Sequence, residues 1–194
     1  GKDIDWAIVE KVFVPELTAK YRLPDFRRGS PRWGTAFAKL KMQAEEAKIL
    51  LSQADAIPIV IDPLCKDAAG DWIRFEYTLG KEELESLTLP FVKRTIDVSR
   101  KVLQDTRLYE RGAVQRIILV GGPTKMPILR KMLREEMEIP LDYSVDPMTV
   151  VAQGAAIFAA TVKASVRRED AKPGQYTINF EYDPVGLDSN PDVP

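Results

Sequence analysis

The chain has 194 residues, of which 45% are hydrophobic, and a formal net charge of −1. This length can form one or two globular units, and the balanced charge gives no basic field that would indicate nucleic acid. With no histidine and one cysteine, Cys65, the chain excludes histidine-based nucleophilic catalysis, imidazole metal sites and an internal disulfide framework. It shows no signal-peptide pattern and no apolar stretch long enough to span a bilayer, so we expect a cytoplasmic protein without membrane partners.

Residues 1–80 are predicted to form a small α+β subdomain. Apolar residues at helical spacing predict one helix over 5–21 and a second over 33–52. A proline-bracketed, basic connection over 24–31 separates them. Two alternating segments, 57–62 and 72–77, predict antiparallel strands joined by the turn-rich residues 67–71.

Residues 81–166 are predicted to form a second, α/β subdomain. A helix over 81–105 contains Pro90, which should kink or break it. A strand over 117–120 follows, then helices over 127–138 and 147–166, the last capped by Asp146. The core candidates on the first of these helices are Leu87, Phe91, Ile96, Val98 and Leu103.

Two features of these elements are compatible with a ligand, although each has a structural alternative. Gly121 and Gly122 end the strand 117–120, where missing side chains let the backbone approach a nucleotide phosphate or ribose closely. A tight turn without a ligand is the alternative for such a pair of glycines. Glu45, Lys48 and Ser52 share one face of the helix over 33–52, and their alternative is a solvated ion pair on the surface.

With these segments, the chain resembles the seventy-kilodalton heat-shock chaperones, in particular the bacterial DnaK type. The resemblance spans about residues 1–163 in order. It is carried by the segments 45–52, 84–87, 120–127 and 146–156, and the opening Gly1 to Asp5 is similar to the end of the family's Gly-Gly-x-x-Phe-Asp motif. The resemblance implies a partial actin-like ATPase lobe, composed of the α+β subdomain 1–80 and an incomplete α/β subdomain 81–166.

The resemblance also implies roles for single residues toward ATP or ADP. Glu45 and Lys48 would bind the ribose hydroxyls and Ser52 the adenine edge, while Gly121 and Gly122 would present backbone to the ribose and α-phosphate. Three positions depart from the family. Lys125 stands where an arginine stacks on adenine, Pro123 replaces a polar residue, and Met148-Thr149 replaces an Asp-Glu pair, so weak nucleotide binding is expected.

In the family, the phosphate loops, magnesium ligands and catalytic lysine precede the position of Gly1. We therefore expect an excised piece of a longer ATPase, with magnesium bound only by the parent and no ATP hydrolysis by this chain. Implied partners of the parent are a nucleotide-exchange factor, a co-chaperone and unfolded client polypeptides. An actin-like filament or cell-shape ATPase and a sugar-kinase-type enzyme, which share the fold, are the alternatives.

The last segment, 167–194, departs from the family because no apolar linker is recognisable in it. Alternating residues over 176–182 predict a strand. The strand 117–120 has lost its family neighbours, and no other strand is recognised in the second subdomain. We therefore expect the segment from Tyr176 to Tyr182 to pair with it, within one chain or between two copies in a strand-mediated dimer.

Overall fold

The structure, a computed structural model, describes residues 1–106 and 113–161. The chain divides into two compact units, Gly1–Pro147 and Met148–Pro194. The first unit holds two hydrophobic clusters, one centred on the N-terminal helices and the hairpin, the other on the segments after residue 90. The predicted boundaries after residues 80 and 166 stay predictions.

The N-terminal helix is confirmed, with one irregular turn. Helix α1 (Lys2–Ile8) continues through a π-helical turn, Val9–Phe13, into α2 (Val14–Lys20). Pro15 has no N–H group to donate to the preceding turn, and a widened turn accommodates that loss. The apolar face of this continuous helical segment lies in the core, since Phe13 is fully buried.

The second predicted helix and the hairpin are also confirmed. A 3₁₀ turn, Pro31–Trp33, leads into α3 (Gly34–Leu50), which ends two residues before Ser52. Strand β1 (Ala56–Lys66) pairs antiparallel with β2 (Trp72–Gly80), and the register shifts between Ile61 and Cys65.

Helix α4 (Lys81–Asp105) runs through Pro90 without ending there. Its buried residues recur every four positions: Leu84, Thr88, Val92 and Ile96. The prediction that Val98 belongs to the core was wrong, because its side chain is 56% exposed. Two residues rotate an α-helix by about 200°, so Val98 lies opposite Ile96. Leu87, Phe91 and Leu103 are partly buried and flank the stripe.

One side chain in this stripe gives a stability prediction. Thr88 is fully buried, and its hydroxyl has no hydrogen-bond partner among the described residues. We expect Thr88→Val to leave the free energy of unfolding unchanged or to raise it by about 1 kcal/mol, because valine removes an unpaired polar group of the same shape. Urea denaturation measures the change. Thr95→Val is the control on an exposed turn of α4; a loss of 1 kcal/mol or more specific to Thr88→Val would contradict the prediction.

The second cluster contains a strand pair that the sequence did not predict. Strand β3 (Ile117–Ile118) pairs in parallel with β4 (Leu141–Asp142), and α5 (Pro127–Met137) packs beside them. The expectation that β3 has no partner among residues 81–166 was therefore wrong. The strand is also shorter than predicted, and Ile118 is half exposed, so it is not buried on both faces.

The second unit contributes α6 (Val150–Thr161). The expectation that this helix starts at Asp146 and Pro147 was wrong, because residues 147–149 form a turn before it. Its predicted continuation to 166, the segment 167–174 and the strand 176–182 lie outside the described residues, so the strand-mediated dimer stays a prediction. Among the described residues, no helix has both the length and the apolar character needed to cross a membrane.

Candidate functional site

The glycine loop after β3 has a fixed shape. Gly121 has φ 87° and ψ 153°, a conformation that residues with a Cβ rarely adopt. Its N–H donates to the carbonyl of Pro147 at 2.8 Å, and its own carbonyl accepts hydrogen bonds from the amide and the hydroxyl of Thr124. A 3₁₀ turn, Gly122–Lys125, then precedes α5. The two glycines therefore belong to a hydrogen-bonded loop that requires glycine at its first position.

Lys48 on α3 is buried and paired with a distant carboxylate. Its side-chain Nζ donates to Oδ1 of Asp5 on α1 at 2.5 Å. Lys48 is 7% exposed and Asp5 is 1% exposed. The surface ion pair between Glu45 and Lys48 does not form, since Glu45 instead lies 3.5 Å from Lys41 on the exposed side of the helix. The surface alternative is therefore wrong for Lys48, because Lys48 is buried, whereas the role of Glu45 toward a ligand stays a prediction.

Gly1 is the point where the two predicted ligand-binding segments meet. A Cβ placed on Gly1 would lie 3.1 Å from Cγ of Pro123 and 3.8 Å from Nζ of Lys48. The amine on α3 and the proline of the glycine loop, far apart in the sequence, are therefore neighbours across the first residue of α1. A side chain at Gly1 would crowd Pro123 and would make an ordinary contact with the Lys48 amine.

The other predicted residues have partners elsewhere. Ser52 follows α3 in a turn, half buried, and its amide donates to the carbonyl of Ile49. Lys125 is exposed and pairs with Asp146 at 3.0 Å. Within residues 1–106 and 113–161, no hydrogen bond or ion pair connects Glu45, Ser52 or Lys125 to Lys48.

A cleft of about 310 Å³ lies at the carboxyl ends of β3 and β4. Arg130 lines it, with its Nε donating to the carbonyl of Thr124 at 2.7 Å and its guanidinium 5.1 Å from the ring centre of Tyr143. Hydrogen bonds from Ser144, together with the Arg116 guanidinium, lower the pKa of Asp142 to about 2. The cleft thus presents a cation and an aromatic ring beside the glycine loop.

The sequence analysis assigned no role to Asp5, Arg130 or Tyr143. A signal for Asp5 was present, because Gly1 to Asp5 is similar to the end of a family motif. Arg130 and Tyr143 had no such signal. In the described part of the chain, no group of three or more Asp, Glu, Cys or His side chains is arranged to hold a metal ion.

Comparison with known proteins shows which family the sequence is similar to. The family model described as "Hsp70 protein" matches residues 1–180. Chaperone protein DnaK of Thermoplasma acidophilum is 31% identical over 167 residues, which cover 86% of this chain and 26% of the relative. DnaK of Nitrosopumilus maritimus is 31% identical over 132 residues, covering 68% of the chain and 21% of the relative.

A third relative gives the same result. DnaK of Mycoplasma mobile is 34% identical over 131 residues, covering 68% of the chain and 22% of the relative. The chain therefore spans about a quarter or less of the length of these relatives. The family model covers nearly the whole chain, including α1, α3 and the glycine loop, and so the chain belongs to the Hsp70 family.

Proposed function

We propose that this chain forms one side of the adenine-nucleotide site of a heat-shock chaperone ATPase, as part of the second lobe of its actin-like domain. The observation that carries the proposal is the meeting of Lys48 and Pro123 at Gly1. A buried ammonium group beside a glycine loop suits a ribose or phosphate edge, since the loop offers close backbone approach and the amine offers positive charge.

The residues present fit part of a nucleotide site. An ammonium has three N–H donors, and the only described hydrogen bond of the Lys48 amine goes to Asp5, so donors remain for ribose hydroxyls. Gly121 and Gly122 would face the ribose and α-phosphate. Glu45 and Ser52, at the end of α3 and in the turn after it, would reach the second ribose hydroxyl and the adenine edge. Lys125 would cover the adenine ring less well than an arginine, and its pairing with Asp146 would have to yield.

Magnesium does not fit the described residues alone, since they contain no group of three or more Asp, Glu or Cys side chains arranged to hold a metal ion. We therefore assign magnesium, and the triphosphate with it, to other parts of the parent protein. Binding of ATP or ADP would control closure of two lobes in that parent. A nucleotide-exchange factor at subdomain 1–80, a co-chaperone and unfolded clients are its proposed partners, in the cytoplasm.

Titration with ADP tests the proposal. We expect a dissociation constant in the millimolar range, a binding free energy on the order of −4 kcal/mol or weaker, because one lobe supplies only part of the contacts. ¹⁵N-labelled protein titrated with ADP measures such weak binding from amide shifts, which should concentrate at residues 45–52 and 121–125. Glu45→Ala and Lys48→Ala should each weaken the binding.

The control variant is Lys39→Ala, which removes from the same helix a cation whose amine donates to the carbonyl of Pro63 and to no proposed site residue. Its affinity for ADP should equal that of the unchanged chain. Shifts scattered away from α3 and the glycine loop, or equal affinity in all three variants, would contradict the assigned site. A submicromolar constant would contradict the expected weak half-site.

A further inference from the structure

We infer that Asp5 is a positioning residue for nucleotide: its carboxylate holds the Lys48 amine beside the glycine loop in the geometry that binds ligand. The inference rests on the proposed function, because it concerns the same site. It adds a residue on α1 to a set that the sequence placed only on α3 and the loop. Asp5 would act through Lys48 and would not touch the nucleotide.

Burial distinguishes this ion pair from the others on α3. Lys41 and Glu45 form a pair at 3.5 Å on the solvent side, where the interaction is weak and screened. Asp5 and Lys48 are both almost fully buried, and their polar atoms lie 2.5 Å apart. A lysine side chain has several freely rotating bonds, so an amine in solvent would sample many positions. The Asp5 carboxylate restricts the Lys48 amine to one of them.

Stability alone does not account for the pair. Removing two charges from water is costly, and apolar residues of similar size often stabilise a core equally well or better. A buried lysine and aspartate are therefore a poor choice for packing α1 against α3. They are a suitable choice where a fixed positive charge is needed, because an apolar substitute could not bind an anionic or hydroxyl-bearing ligand.

The backbone of α1 connects the pair to the loop. The amides of Ile4 and Asp5 both donate to the carbonyl of Gly1, at 3.0 and 3.3 Å. Gly1 in turn lies against Pro123 and the Lys48 amine. The first turn of α1 thus positions the Asp5 carboxylate, the Lys48 amine that this carboxylate holds, and the side-chain-free Gly1 next to Pro123 of the glycine loop. Because the amine is already ordered before binding, less side-chain entropy is lost when the ligand binds.

The experiment is an ADP titration of four proteins by amide shifts: the unchanged chain, Asp5→Asn, Lys48→Met and the double variant. Asp5→Asn keeps the size of the side chain and removes its charge. We expect it to raise the dissociation constant at least about fivefold although Lys48 is still present. In the Lys48→Met background, Asp5→Asn should change the constant by less than about twofold, because its effect passes through the amine.

Asp3→Asn is the matched control, since Asp3 also lies in the first turn of α1 but is exposed. Asp3→Asn removes a negative charge from the same helix start, so it measures any general electrostatic effect of that loss on nucleotide binding. We expect that effect to be negligible and the dissociation constant to stay unchanged. A second readout needs no nucleotide. Reductive methylation followed by mass spectrometry should modify Lys48 more slowly than Lys41 in the unchanged chain, and Asp5→Asn should speed the modification of Lys48.

Each outcome decides between the two claims. If the unchanged chain shows no shifts with ADP, the proposed function fails, and this inference fails with it. If the chain binds ADP but Asp5→Asn binds equally well, or loses the same factor with and without Lys48, only the positioning role is overturned. Should Asp5→Asn not fold, Asp5→Glu replaces it: the longer carboxylate displaces the amine, so weaker binding is expected and unchanged affinity overturns the role.

Discussion

Lys48→Met is expected to lower the free energy of unfolding by about 3–5 kcal/mol, because it leaves the buried carboxylate of Asp5 without its partner. Asp5 is 1% exposed, so water cannot replace the lost ammonium without opening the contact between α1 and α3. Methionine keeps most of the length and apolar stem of lysine, which limits the effect to the charge. Urea denaturation followed by circular dichroism measures the loss.

The double variant Asp5→Asn/Lys48→Met separates the charge from the packing. With both charges removed, no ion is buried alone, and most of the lost stability should return. Lys41→Met, on the exposed side of α3, should change the free energy by less than about 0.5 kcal/mol. A small loss in Lys48→Met, similar to that of Lys41→Met, would mean that Asp5 is solvated in solution and that the buried pair is not maintained.

The sequence placed Lys48 correctly on a helix but could not identify its partner. Helical periodicity relates a residue to neighbours three and four positions away, so Glu45 was the obvious partner for Lys48. The observed partner, Asp5, is 43 positions away. Such a pair depends on how α1 packs against α3, which the pattern within either helix does not contain. The resemblance to a family supplied the proposed role of Lys48, and the fold supplied its neighbour.

The strand β4 shows a second limit of sequence patterns. Its two residues, Leu141 and Asp142, are too few for a period-two alternation to be recognised. They form a strand only because β3 offers a parallel partner beside α5. By contrast, β1 and β2 are long, alternating segments, and the sequence predicted their pairing. Elements with many residues of one period were predicted well, whereas those that depend on a distant neighbour were not.

The predicted start of the last helix was wrong for a related reason. Asp146 and Pro147 match local preferences for a helix start, but both have other contacts. Asp146 pairs with Lys125, and the carbonyl of Pro147 accepts from Gly121. These contacts fix the glycine loop, and the helix begins only at Val150. Tertiary contacts at the candidate site therefore override the capping signal.

Phe75→Ala is expected to lower the free energy of unfolding by about 3–5 kcal/mol, because it removes a large ring from the main hydrophobic cluster. Phe75 on β2 is 3% exposed, and its ring lies 5.2 Å from that of Phe13 in an edge-on arrangement. This contact joins the hairpin to the N-terminal helices. The loss should appear as a lower urea midpoint, and amide shifts should report it at α1, α2 and both strands.

The matched control is Trp72→Ala, three residues earlier in the same strand. Trp72 is 64% exposed, and its described ring contact is with the Lys66 ammonium, 5.0 Å from the ring centre. An exposed cation–π contact contributes about 0.5–1 kcal/mol, so Trp72→Ala should cost no more than that. The comparison holds the strand and the aromatic class constant and varies burial. Equal losses in the two variants would mean that the hairpin does not pack its Phe75 face on the helices, and the predicted α+β subdomain would lose its main support.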